Sequence, residues 1–221
     1  AVPAACIGVA GPRARELLAT ICGPPLSLGH EWARAEVEIA GVPARVLARG
    51  ELRVPFYEIV VPAGASDDIA SLWRLLRTAG AVPAGTAAYE ILRVESGVAR
   101  YDVDVADDRL ALEARLEWAI HFSKGCYVGQ EVVERAVSRG RLNRRLVLLG
   151  SDAPVSVGVR VDDGGERDVV TSTVVSPEQG PLALAYLDLD CGAAGTSVTV
   201  GGTPARILEW PRVEVYAGLK R

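Results

Sequence analysis

The chain has 221 residues, 49% hydrophobic and 24% charged, a globular balance with length enough for one large domain or two small ones. A net charge of −4 and a pI near 5.3 argue against a generally basic nucleic-acid binder, so no direct nucleic-acid partner is expected. No apolar run is long enough to span a membrane, and no basic segment leads into an apolar stretch at the start. A cytoplasmic protein without a membrane partner is therefore expected. The chain contains no methionine and opens on Ala1-Val2-Pro3, so either a longer translated product or removal of a preceding segment is expected.

Cys6-Ile7-Gly8-Val9 reads as a strand. A helix follows Gly11-Pro12, proline being suited to the first helical position, with Ala14, Leu17, Leu18 and Ile21 at helical spacing and Gly23 as its stop. Residues 36–39 and 42–47 read as a hairpin turning at Gly41, and Tyr57 to Val61 as a further strand. A second helix starts at Ser66 as N-cap, with Asp67 and Asp68 favoured by the helix dipole. Its expected apolar face is Ile69, Leu72, Trp73 and Leu76. A third helix covers Ala87 to Glu95. This order predicts an α+β domain built on an antiparallel sheet with packed helices.

From about Arg144 the pattern changes to short β-rich runs at 146–149, 155–161, 169–175, 182–187, 198–200 and 205–209. Turn signals such as Asp163-Gly164-Gly165 and Gly201-Gly202 separate them. The spacing predicts a small C-terminal six-stranded β-barrel. The expected domains are 1–141 and 142–221.

Cys6, Cys22, Cys126 and Cys191 are widely spaced and form no C-x-x-C pair, so reduced thiols are expected. With His30 and His121 the only histidines, no self-contained metal site is expected. The segment that carries chemistry is Lys124-Gly125-Cys126-Tyr127-Val128-Gly129-Gln130-Glu131. A helix is expected after it, with Val128, Val132, Val133, Ala136 and Val137 on or near one face and Gly140 as its stop. That places Cys126 at or just before a helix N-terminus with Lys124 nearby, and both favour thiolate over thiol. Gln130 and Glu131 are equally readable as first-turn helix residues, and Tyr127 as core. Arg135, Arg139, Arg141, Arg144 and Arg145 form a basic cluster. It reads either as a site for an anionic tail, phosphate or acidic partner, or as a solvated helix face whose end carries cations.

The octet resembles the K-G-C-[Y/F]-x-G-Q-E signature of the YgfZ-type folate-binding proteins, relatives of the glycine-cleavage T-protein. Val9-Ala10-Gly11-Pro12-Arg13-Ala14 resembles the same family's helix entry. Trp73, then 79–85, then Glu90-Ile91-Leu92-Arg93-Val94-Glu95-Ser96-Gly97 is similar to the superfamily segment ending in R-x-E-x-G. Residues 141–146 resemble the family's connection into its C-terminal barrel.

The resemblance implies a T-protein-like folate-binding domain in residues 1–141, with tetrahydrofolate or another reduced folate as cofactor. It implies that Glu95 hydrogen-bonds the pterin ring, a sensible role for a carboxylate facing a flat aminopyrimidine. Arg93, Tyr127, Gln130 and Glu131 join Glu95 as candidate cofactor-binding residues, and Cys126 and Lys124 are the implied catalytic residues. The implied role is an accessory factor for iron–sulfur enzymes, including tRNA-modifying ones. Iron–sulfur carriers or client proteins would be its partners, and Cys126 would contact a transient cluster shared with them. The N-terminal segment that supplies the T-protein's catalytic aspartate has no counterpart here. Two further readings stand beside the first: a folate-dependent aminomethyltransferase of glycine-cleavage type, and a ligand-free interaction module.

Overall fold

The computed structural model describes residues 4–23, 28, 30, 32–62, 66–139, 142–162, 164–166, 168–188 and 193–211. Expectations placed on residues 1–3, Gly140, Arg141, Asp163 and Cys191, and on the side chains of Ser66 and Arg139, lie outside the described residues. The chain divides into two compact units, Ala1–Ala88 and Tyr89–Arg221.

The first unit contains β1 (Ala4–Ala10), α1 (Ala14–Cys22), β2 (Arg34–Ile39), β3 (Val42–Arg49), β4 (Phe56–Pro62) and α2 (Ser66–Thr78). Its strands form one antiparallel sheet in the order β1-β4-β3-β2. The β2–β3 turn sits at Ala40 and Gly41, with φ of 53° and 83°. Two consecutive positive φ values are what a two-residue turn of type I′ requires, and they match the twist of the strands it joins. Strand β3 then alternates, burying Val42, Ala44, Val46 and Ala48. Leu18 of α1 and Leu72 and Leu76 of α2 complete this core. Trp73 does not belong to it as expected: it is 43% exposed, and Leu75 packs on the core instead. Gly23 ends α1 at φ 68°, in the left-handed region where glycine carries no side-chain penalty.

Helix α3 (Thr86–Glu95) leads into the second unit. That unit contains a short 3₁₀ turn (Glu117–Ala119), α4 (Gln130–Arg139), β5 (Arg144–Ser151), β6 (Val170–Ser176), β7 (Gly180–Asp188), β8 (Ser197–Val200) and β9 (Thr203–Ile207). The strands pair antiparallel in the order β6-β7-β5-β9-β8. Strands β5 and β7 read as nearly continuous apolar runs because both of their faces are covered. Val147, Leu149, Ala183 and Ala185 point into one cluster, and Leu146, Leu148, Leu184 and Tyr186 into another with Val94 of α3.

The expected antiparallel α+β architecture is present. In place of the expected six-stranded barrel, the described residues of the C-terminal part form a five-stranded antiparallel sheet. The run 155–161 is broken by a turn at 157–158, where Gly158 has φ 84°. What survives of it is two single bridges, Arg160 to Val169 and Val161 to Val200. Around them, Gly158 N donates to Val170 O, Val170 N to Val159 O, and Asp162 N to Thr199 O. Residues 158–162 thus bond to both outer strands of the sheet.

Glycine 97, the last residue of R-x-E-x-G, is fixed by its surroundings. Its φ is 65°, and a Cβ there would lie 2.8 Å from Cζ2 of Trp210 and 3.0 Å from Cγ of Pro211. The Arg115 guanidinium stacks over the other part of this contact, 4.5 Å from the Trp210 ring centre.

Candidate functional site

The R-x-E motif lies at the C-terminal end of α3, where Arg93, Val94 and Glu95 are all buried. A buried guanidinium is costly unless its donors are met, and here each of the five is used. Arg93 Nε and Nη2 donate to Glu90 Oε2 at 3.1 and 2.8 Å. Nη1 donates to Val98 O at 2.6 Å and Asp104 Oδ2 at 2.8 Å, and Nη2 also to Ser172 Oγ at 2.8 Å. Arg93 therefore ties α3 to the loop at 98–104 and to β6, and offers no spare donor to a ligand. Burial pushes the Glu90 carboxyl up, but Arg93 and Arg100 outweigh it and hold the group below the ordinary carboxylate value.

Asp104 is the other half of this lock. It is fully buried and also accepts from Thr171 Oγ1 at 2.5 Å, Ser172 Oγ at 2.7 Å and the Arg100 backbone N–H at 2.9 Å. Its backbone carbonyl accepts from Tyr186 Oη at 3.0 Å. The guanidiniums of Arg109 and Arg144 lie 4.1 and 5.5 Å from the Tyr186 ring centre, and burial pushes its hydroxyl pKa up to about 12.

Glu95 points to a different part of β6. Ser176 Oγ donates to Glu95 Oε1 at 2.5 Å and itself accepts from the backbone N–H groups of Glu178 and Gln179 at 3.1 and 3.0 Å. Sequence reasoning did not single out Asp104, Thr171, Ser172 or Ser176. The available signal was the run of hydroxyls in Val170-Thr171-Ser172-Thr173, set in a strand whose neighbours are apolar.

The Lys124–Glu131 segment is a loop leading into α4. Cys126 is an exposed free thiol, and the Lys124 ammonium lies 4.6 Å from the Tyr127 ring centre. The sequence predicts Cys126 at or just before a helix N-terminus; α4 begins four residues after it, at Gln130, because Gly129 at φ 85° interrupts the helical backbone. Gln130 and Glu131 form the first turn of α4. The expected apolar face is also revised: Ala136, Val133 and Val137 pack with Leu112 and Leu142, while Val128 is fully exposed and Val132 is 42% exposed.

The basic cluster is divided. Arg144 and Arg145 are buried and paired with Glu113 and Glu117, so they brace the 110–117 segment against β5 instead of forming an anion site. Arg135 is exposed on α4.

Of the other described cysteines, Cys6 is exposed and Cys22 half-buried. Partial desolvation, then the negative charge of Glu58, pushes the Cys6 thiol up against the opposing charge of Arg49, and partial burial pushes Cys22 up. Both are expected to alkylate slowly near pH 8 and to accelerate only above the ordinary thiol range, since the thiolate is the reacting form. Iodoacetamide labelling over a pH series, read by mass spectrometry, checks this. Labelling of either at the rate of a free thiol near pH 8 would contradict it.

Among the described residues, no helix is long and apolar enough to cross a membrane and no group of three His, Cys, Asp or Glu residues converges for a metal ion.

Residues 3–124, more than half of the chain, match the GCVT N-terminal domain family. An aminomethyltransferase of Rubrobacter xylanophilus is 34% identical over 214 residues, 94% of this chain and 56% of that protein. A putative chloroplastic transferase of Arabidopsis thaliana is 29% identical over 201 residues, 87% of this chain and 44% of that protein. The chain thus spans about half the length of these relatives. The crystal structure of the glycine cleavage system aminomethyltransferase T from Bartonella henselae has the same fold, with a TM-score of 0.77 over 96% of this chain and 60% of that one, at 23% identity. The chain belongs to the GCVT N-terminal domain family, within the aminomethyltransferase, or T-protein, superfamily.

Proposed function

We propose that the chain is a reduced-folate-binding accessory protein of YgfZ type, which supports iron–sulfur enzymes through Cys126. The observation that carries this reading is the exposed Cys126 thiol inside Lys124–Glu131, with Lys124 over Tyr127 beside it. An exposed thiolate is a natural ligand for a cluster, and one cysteine requires thiols from a partner to complete the set. Glu95 fits a folate: its buried carboxylate is already oriented by Ser176 and can accept the paired N–H groups of an aminopyrimidine. Arg93, with its donors used inside the protein, makes no ligand contact in this reading and fastens α3 to the 98–104 loop and to β6 as part of the fold. Gln130 and Glu131 form the first turn of α4, four and five residues after Cys126 in the chain.

A second reading is a folate-dependent aminomethyltransferase. It is favoured by the names of the similar proteins from Rubrobacter and other bacteria. In that case the folate supplies the one-carbon acceptor, and Glu95 would hold it.

One set of measurements separates the two. Calorimetric titration with tetrahydrofolate is expected to show binding by the wild type, weakened at least about tenfold in Glu95→Ala, as for loss of charge-assisted hydrogen bonds. Cys126→Ser is expected to bind tetrahydrofolate like the wild type but to fail in supporting a cluster-dependent enzyme in cells. Full support by Cys126→Ser would sink the accessory reading. Release of ammonia and methylene-tetrahydrofolate from an aminomethyl carrier would establish the second.

A further inference from the structure

The carboxylate of Glu95 sits on the last residue of α3, and a helix end is a poor place to hold a long side chain in one rotamer. Buried glutamate also needs hydrogen-bond partners to remain charged at low cost. The structure meets both needs from β6, which is distant in sequence. Ser176 Oγ, itself buried, donates to Glu95 Oε1 at 2.5 Å. The hydroxyl proton has one available direction because the oxygen's acceptor side is taken by the N–H groups of Glu178 and Gln179. A hydroxyl that accepts two N–H bonds is left to donate, and its only donor points at Glu95.

We infer that Ser176 is the positioning residue of the folate site: the β6–β7 turn holds its hydroxyl so that the Glu95 carboxylate is preset for a planar N–H donor pair. The inference rests on the folate reading of Glu95. Ser176 donates to one of the two carboxylate oxygens, so its hydrogen bond sets the orientation of the group. Preorganisation of this kind raises affinity by removing the cost of ordering the side chain on binding.

The geometry also separates this role from simple support of the fold. The helix is fastened to β6 a second time, by Arg93 and Asp104 on Ser172 and Thr171. Removing the Ser176 hydroxyl leaves that fastening intact. Ser172→Ala is therefore the matching control: a buried hydroxyl on the same strand, four residues away, that touches the lock and not Glu95.

The test is calorimetric titration of the wild type and three variants with tetrahydrofolate, with thermal unfolding measured in parallel. Ser176→Ala is expected to weaken binding about tenfold, the loss of one hydrogen bond to a charged group. Ser176→Thr, which keeps the hydroxyl, is expected to restore affinity to near wild type. Ser172→Ala is expected to lower the melting temperature but leave the affinity unchanged. Wild-type affinity in Ser176→Ala overturns the inference while leaving the folate reading standing. An equal loss of affinity in Ser172→Ala overturns it too, because the hydroxyls would then act only through stability. Absence of tetrahydrofolate binding by the wild type overturns the folate reading itself and this inference with it.

Discussion

Replacement of Asp104 by alanine is expected to destabilise the protein by about 3–5 kcal/mol, the range for breaking a buried ion pair from one side. The reason is what remains. Arg93, 2% exposed, would keep its charge while losing its buried counter-ion. The hydroxyls of Thr171 and Ser172 and the backbone N–H of Arg100 would lose an acceptor together. Asp104→Asn should cost less, because it retains an acceptor oxygen and the shape of the site. Urea unfolding is the measurement: the midpoint should fall with little change in slope, since the surface exposed on unfolding is similar. A loss below about 1 kcal/mol in Asp104→Ala would show that the lock is not a buried ion pair in energetic terms.

The second large effect is expected at Gly97. Alanine there must adopt a left-handed backbone, at about 1–2 kcal/mol, and its Cβ must displace Trp210 and Pro211 from a contact of 2.8–3.0 Å. Overpacking of this kind typically adds about 1–3 kcal/mol, so Gly97→Ala is expected to lose about 2–5 kcal/mol in total. The two components can be told apart. In a Trp210→Ala background the Trp210 share of the steric part should vanish while the backbone part and the Pro211 contact remain, and a double-mutant cycle reads that share directly as a coupling term. Additive losses would mean that Trp210 moves aside freely.

The elements that were legible in the sequence are those set by local rules. The Ala40-Gly41 turn, the alternation of β3 and the dipole-suited start of α2 each follow from a few adjacent residues. The misplacements have the same origin. Trp73 falls on the helical stripe of α2, but Leu75 meets the core in its place, a choice made by neighbouring elements. Gly129, with its positive φ, delays α4 and leaves Cys126 in the loop. The site itself was half visible. Glu95, Lys124 and Cys126 stand in recognisable motifs, whereas their supports do not. Thr171 is 67 positions from Asp104, and Ser176 is 81 from Glu95. Nothing local marks such partners. Arg144 and Arg145 illustrate the converse: a dense run of cations looks like a binding patch until Glu113 and Glu117, about thirty positions away, are found beneath it.

The segment 158–162 bears on how the second unit behaves in a crowded solution. An open sheet ends in two rows of unsatisfied N–H and C=O groups, and such rows recruit strands from other molecules. Here Arg160 bridges to Val169, next to the start of β6, and Val161 to Val200 on β8. One short stretch of irregular chain therefore shortens both exposed rims, and Gly158 gives it the bend to reach them. Substitutions that unseat this stretch would free two templates for intermolecular β-pairing, so that aggregation propensity is a property this segment controls.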